Sequence, residues 1–142
     1  MISRLLKILQ SGEIRLATLY VPPTEKPVVW FSYHQNWEPT ATPADSSRPT
    51  RQLTFDELTE IETPARIEVD PQAAPLDWRS WRKLSGVKSK MIKHLEEIAI
   101  RRDADVKTWR MSFEPVKTSD FISVEVFANG KWSDFREFLS LK

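Results

Sequence analysis

Phe121-Ile122-Ser123-Val124-Glu125-Val126-Phe127-Ala128-Asn129-Gly130-Lys131-Trp132 is the stretch on which the fold turns. Its first eight residues are apolar or β-branched enough for a strand, and Asn129-Gly130 is the strongest short hairpin signal a sequence carries. Lys131-Trp132 then begins the return strand. Just upstream, Trp109, Met111 and Phe113 alternate with Arg110, Ser112 and Glu114, the period-2 pattern of a half-buried strand. The last third of the chain is therefore β-rich, up to a final short helix expected over Asp134 to Leu141.

Helical patterning precedes it. In residues 88–102, Met91, Ile92, Leu95, Ile98 and Ala99 form an apolar stripe, and Glu97 stands four residues before Arg101. Pro75-Leu76-Asp77-Trp78 opens another helix, with Trp78, Trp81 and Leu84 near one face and Gly86 as its stop. Thr54-Phe55-Asp56-Glu57 has the spacing of a capping box and starts a short helix. Residues 65–69 alternate as a strand does.

Nearer the start, residues 3–10 read as a helix ended by Gly12, and residues 14–20 as a strand stopped by Pro22-Pro23. Val28-Val29-Trp30-Phe31-Ser32-Tyr33 is apolar on both faces, the pattern of a strand at the centre of a sheet. A long Pro-, Ser- and Thr-rich loop is expected over 34–52, with Pro39, Pro43 and Pro49 in it. The sum is a single α+β domain with a mixed, mostly antiparallel sheet and three to five helices packed on it.

The 142 residues carry 40% hydrophobic and 29% charged side chains, with six Trp, seven Phe and two Tyr, enough large rings for a packed core. Cysteine is absent, which favours a reducing compartment. The N-terminal run Met1 to Leu9 is too charged and too short for a signal-peptide core, and no apolar run reaches membrane-crossing length. A cytoplasmic location with no membrane partner is the expectation. The net charge of +1 hides an asymmetry. Residues 54–77 hold seven acids (Asp56, Glu57, Glu60, Glu62, Glu68, Asp70, Asp77) against Arg66, a balance of −6. Residues 78–102 hold eight bases against Glu96 and Glu97, a balance of +6. Solvated or mutually facing charge is one reading of this, and a basic face for phosphate or nucleic acid the other.

The usual catalytic constellations are missing. There is no Cys or multi-His cluster for a metal, no Gly-rich phosphate loop and no nucleophile elbow, and only His34 and His94 supply imidazole. His94, beside the apolar stripe, reads as a partly buried structural residue. Trp30, His34, Trp37 and Glu38, at the polar end of the strong strand, either line a pocket as candidate cofactor contacts or simply begin a loop and cap neighbouring backbone. Ser32 lies on the same strand face as Trp30 and His34. Glu125, in mid-strand on a face with Phe121, Ser123 and Phe127, is either turned to solvent or needs a partner.

Leu5-Leu6-Lys7-Ile8-Leu9-Gln10-Ser11-Gly12-Glu13-Ile14, followed by Val28-Val29-Trp30-Phe31-Ser32, resembles the opening of small bacterial proteins with the ADP-ribosyltransferase-like fold. The resemblance covers about a third of the chain. It implies NAD as cofactor, Ser32 at the second family motif and Glu125 as the glutamate that orients the nicotinamide ribose. The family's first strand, with its NAD-gripping His or Arg, precedes the first helix and has no counterpart here.

Three functions follow as expectations. The first is a non-catalytic protein-binding or regulatory module of phage or mobile-element type, docking a protein partner through Trp78, Arg79, Trp81 and Arg82, since Trp and Arg are the residues of interface hot spots. The second is an NAD-dependent transferase using Ser32 and Glu125. The third is nucleic-acid binding through the basic segment 79–102.

Overall fold

The computed structural model describes residues 1–140. In chain order its elements are α1 (Ile2–Ser11), β1 (Glu13–Ile14), β2 (Val29–Ser32), β3 (Ala44–Asp45), β4 (Arg48–Gln52), α2 (Phe55–Ile61), β5 (Ala65–Val69), α3 (Trp78–Leu84), α4 (Ser89–Arg101), β6 (Trp109–Ser112), β7 (Val116–Lys117), β8 (Phe121–Ala128), β9 (Lys131–Asp134) and α5 (Phe135–Ser140). The class is α+β, with the strands spread over small antiparallel sheets. The chain gathers into two compact units, each drawn from separated stretches: Met1–Glu13, Thr42–Asp70 and Lys117–Lys142 in the first, Ile14–Ala41 and Pro71–Val116 in the second.

In the first unit β8 is the middle strand of the sheet β5-β8-β9. Asn129 and Gly130 turn it into β9 with φ of 53° and 75°, the positive pair that a type I′ hairpin requires. Val124 and Val126 of β8 and Ala65 and Ile67 of β5 pack with Leu5 and Leu9 of α1 and with Phe135 and Phe138 of α5. Alternation sends Phe127 and Trp132 to the other face, where they meet Phe55 of α2 at ring separations of 5.1 and 6.1 Å. The capping box of α2 forms as its sequence predicts: Thr54 Oγ1 accepts from the Glu57 amide, and the Glu57 carboxylate accepts from the Thr54 amide.

The expected loop over 34–52 contains more structure than its composition suggests. β3 and β4 pair as a hairpin over the turn at Ser46 and Ser47. Asp45 accepts from both the amide and the hydroxyl of Ser47, and Arg51 bridges Asp45 and Glu57 at 2.9 and 2.6 Å. Pro49 is accommodated because β4 pairs on one side only. The carboxyls respond. Hydrogen bonds from Ser47 hold Asp45 below its usual range, and the Arg51 guanidinium brings Glu57 down to about 2.

The second unit is organised around β2 and β6, which pair from Val29↔Ser112 to Ser32↔Trp109. β2 is not a central strand. It has one neighbour, and its apolar second face is used for ring packing instead. The strand expected over 14–20 is also shorter: only Glu13–Ile14 is extended in a ladder, and the Ala17 amide rejoins the fold by donating to Val28. The core gathers Val28, Trp78, Trp81, Ile92, Ala99, Trp109 and Met111. On α4 the buried stripe is narrower than expected, because Met91 stays half exposed while Ile92 and Ala99 are buried. The last helix is Phe135–Ser140. Leu141, its expected end, lies outside the described residues.

Candidate functional site

Helix α3 reads Trp-Arg-Ser-Trp-Arg-Lys-Leu, and its spacing separates two jobs. Trp78 and Trp81, three apart, share one face and are 7% and 2% exposed. They stack on each other at 4.9 Å, Trp81 meets Trp30 of β2 edge-on at 5.0 Å, and Trp78 meets Trp109 of β6 at 5.4 Å. Aromatic pairs in such offset and edge-on arrangements add roughly 0.5–1.5 kcal/mol each beyond area burial. The Nε1–H of Trp78 donates to Glu96 of α4 at 3.1 Å, whereas the Nε1–H of Trp81 has no hydrogen-bond partner among the described residues.

Both tryptophans are thus core, and the expectation that they anchor a partner directly is corrected: their rings have no face left for another molecule. What they do is fix the outer face of α3. Arg79, Arg82 and Lys83 project from that face into solvent. Asp77 caps the helix by accepting from the Ser80 amide at 2.8 Å, a bond that holds its carboxyl below the usual range. Ser85 and Gly86 turn the chain toward α4. Gly86 has φ +78°, and a Cβ there would meet the carbonyl oxygen of Thr24, so this corner admits only glycine.

Between the two helices lies an open concavity of about 370 Å³, lined by Arg79, Arg82, Lys83, Val87, Ser89 and Ile92. Three cations and a hydroxyl meet over two aliphatic side chains, with no carboxylate in the lining. Among the described residues, neither Arg79 nor Lys83 has an acidic oxygen within ion-pair distance. Arg82 has one at 3.7 Å, on Glu96, too long for a hydrogen bond. Such a cavity attracts anions and lowers the mutual repulsion of its own cations by binding one.

The other expected site residues are engaged elsewhere. Ser32 donates to Glu38 at 2.6 Å and accepts from the His34 amide. Glu38 also accepts from the Thr40 hydroxyl at 2.7 Å and from the indole of Trp109 at 3.3 Å, so it ties the chain after β2 back to β6. Trp30 is partly exposed among the other indoles, Trp37 is half-buried, and His34 is exposed. The polar run after the strong strand is a side-chain knot more than an open pocket. Glu125, in the first unit, pairs with Arg66 at 2.7 Å across the β5–β8 ladder, and that guanidinium lies 4.2 Å from the Trp132 ring. His94 is exposed, not partly buried, because it sits on the outer side of α4. No group of three or more His, Asp or Glu among the described residues is placed to hold a metal. No helix among them is long and apolar enough to cross a membrane.

Nothing in the sequence marks Val87, Ser89 or Ile92 as part of a site. Lys83 stood among the bases of the 79–102 segment but outside the docking set of Trp78, Arg79, Trp81 and Arg82, although it follows Arg79 by four residues on one helix face; the other three depend on how two helices meet. No protein-family model, no curated protein and no solved structure matches the chain.

Proposed function

We propose that this chain is a non-catalytic docking module that receives an acidic segment of a partner protein on the cationic face of α3. One observation carries the reading: the tryptophans of α3 are locked in the core while Arg79, Arg82 and Lys83 stand around a concavity whose lining has no carboxylate, Glu96 reaching only Arg82 of the three and at 3.7 Å. Rigid presentation matters because docking then orders the three cationic side chains but not the helix that carries them. Transfer chemistry is less well supported, since Ser32 and Glu125, the two groups it would use with NAD, each already hold another side chain.

A second reading has its own observation. Lys90, Lys93 and Arg101 lie along the exposed side of α4, a row of bases interrupted by Glu97 that can meet a phosphate backbone. A labelled hexaglutamate peptide and a single-stranded oligonucleotide of equal charge separate the two by fluorescence anisotropy over a range of salt. The docking reading expects peptide binding that weakens at least tenfold in Arg79→Gln/Lys83→Gln. Tighter binding of the oligonucleotide, with a steep salt slope and loss in Lys90→Gln/Lys93→Gln, gives the function to nucleic acid instead.

A further inference from the structure

The concavity between α3 and α4 has more charge than a carboxylate needs and more apolar surface than a free ion can use. Arg79 and Lys83 are four residues apart on α3, and Arg79 and Arg82 three apart, so each pair repels along the helix surface. Glu96, 3.7 Å from Arg82, offsets part of that repulsion, but the lining itself has no acid, and Ser89 adds a hydroxyl there. A single carboxylate brings one negative charge to three positive ones. A phosphate monoester brings −1.5 to −2 at neutral pH, with three strong acceptor oxygens. Two guanidiniums offer planar forks that match phosphate oxygens bidentately, and the lysine adds a point charge. Arg82 is free to turn to a ligand, because its contact with Glu96 is long and its side chain is half exposed.

Beneath this charge, Val87 is half-buried and Ile92 buried, and both form part of the lining. Inorganic phosphate would leave that aliphatic floor uncovered. A phosphate carried on a short side chain would put the carrier's carbon atoms there, at a site roomy enough for both. Resting on the docking reading above, we infer that the ligand of this concavity is a phosphorylated side chain of the partner protein, so that docking depends on phosphorylation. Arg79, Arg82 and Lys83 hold the phosphate oxygens, Ser89 donates its hydroxyl, and Val87 and Ile92 contact the carrier.

Isothermal titration with four heptapeptides tests this. They carry phosphothreonine, phosphoserine, glutamate or threonine at the centre of an otherwise uncharged sequence. The phosphothreonine peptide is expected to bind at least tenfold more tightly than the glutamate peptide and somewhat more tightly than the phosphoserine peptide, whose carrier lacks the methyl group. Arg79→Gln and Lys83→Gln should each weaken it about tenfold, while Lys93→Gln, on the outer side of α4, changes it less than twofold. Equal affinity for the phosphothreonine and glutamate peptides would overturn the inference and leave the docking reading standing. Absence of binding by both, and by hexaglutamate, would overturn the two together. An equal loss in Lys93→Gln, or displacement of the peptide by an oligonucleotide of matched charge at lower concentration, would replace the site with diffuse polyanion binding. Inorganic phosphate should compete only at concentrations at least a hundredfold higher; competition at the peptide's own concentration would show that the protein carrier contributes nothing.

Discussion

Replacing Gly86 by alanine should destabilise this protein more than replacing Gly130, although both glycines have nearly the same φ, +78° and +75°. The left-handed conformation costs an L-residue about 1–2 kcal/mol. A stiffer unfolded chain offsets about 0.4–1 kcal/mol of that. Gly130 has nothing within 4 Å of a Cβ, so Gly130→Ala carries only this balance, about 1 kcal/mol. At Gly86 the new methyl group meets the carbonyl of Thr24, main chain that cannot rotate aside. The strand of contact continues at Lys26, whose amide donates to Ser85 at 2.8 Å. Forcing the two segments apart adds roughly 1–3 kcal/mol, as overpacking does elsewhere. Gly86→Ala should therefore cost about 2–4 kcal/mol. With a urea slope of about 2 kcal/mol/M, the midpoint falls by about 1–2 M for Gly86→Ala and about 0.5 M for Gly130→Ala. Equal midpoint shifts in the two variants would refute the argument that close approach, and not φ alone, fixes the corner between α3 and α4.

Met111→Ala, at a side chain with no exposed surface in the second unit's core, should cost about 2–5 kcal/mol in chemical denaturation. Glu57→Gln keeps an acceptor for the capping box but loses the charge facing Arg51. Because the folded pKa of Glu57 lies near 2, below its ordinary 4.5, its contribution is fully present above pH 4.5 and fades as pH falls toward 2. The difference in thermal midpoint between wild type and Glu57→Gln should thus be constant above pH 5 and shrink below it. A double-mutant cycle on Arg66 and Glu125 should give a coupling of about 0.2–1 kcal/mol, the size of a cross-strand ion pair, and millimolar NAD should leave the thermal midpoint of wild type and Glu125→Ala alike unchanged.

Local structure was the legible part of this sequence. Thr54 and Glu57 announce their capping box, Asn129-Gly130 its hairpin, and Trp78 with Trp81 a helix face, because each signal is complete within a few residues. What failed was partnership across the chain. Val28 to Tyr33 is apolar on both faces, and the sequence cannot say whether those faces meet strands, helices or, as happens at Trp30, other indoles. The hairpin within 34–52 was hidden because short exposed strands held by Asp45, Ser47 and Arg51 have no hydrophobic alternation to betray them. For the candidate site, the cations of α3 could be read from helical spacing. The burial of Trp78 and Trp81, which turns them from contacts into supports, and the arrival of Ser89 and Ile92 beside Arg82 come only from tertiary packing.

The six indole N–H groups offer the most direct test of docking on α3. The indole of Trp78 is held by Glu96, which also faces Arg82, so a ligand that draws Arg82 away alters that hydrogen bond. In a two-dimensional proton–nitrogen spectrum titrated with hexaglutamate, the backbone signals of Arg79, Arg82, Lys83 and Ser89 and the indole of Trp78 should shift together and saturate, while the indole of Trp132 in the first unit stays in place. Shifts confined to the outer face of α4, or centred on Glu125 and Trp132, would contradict the account.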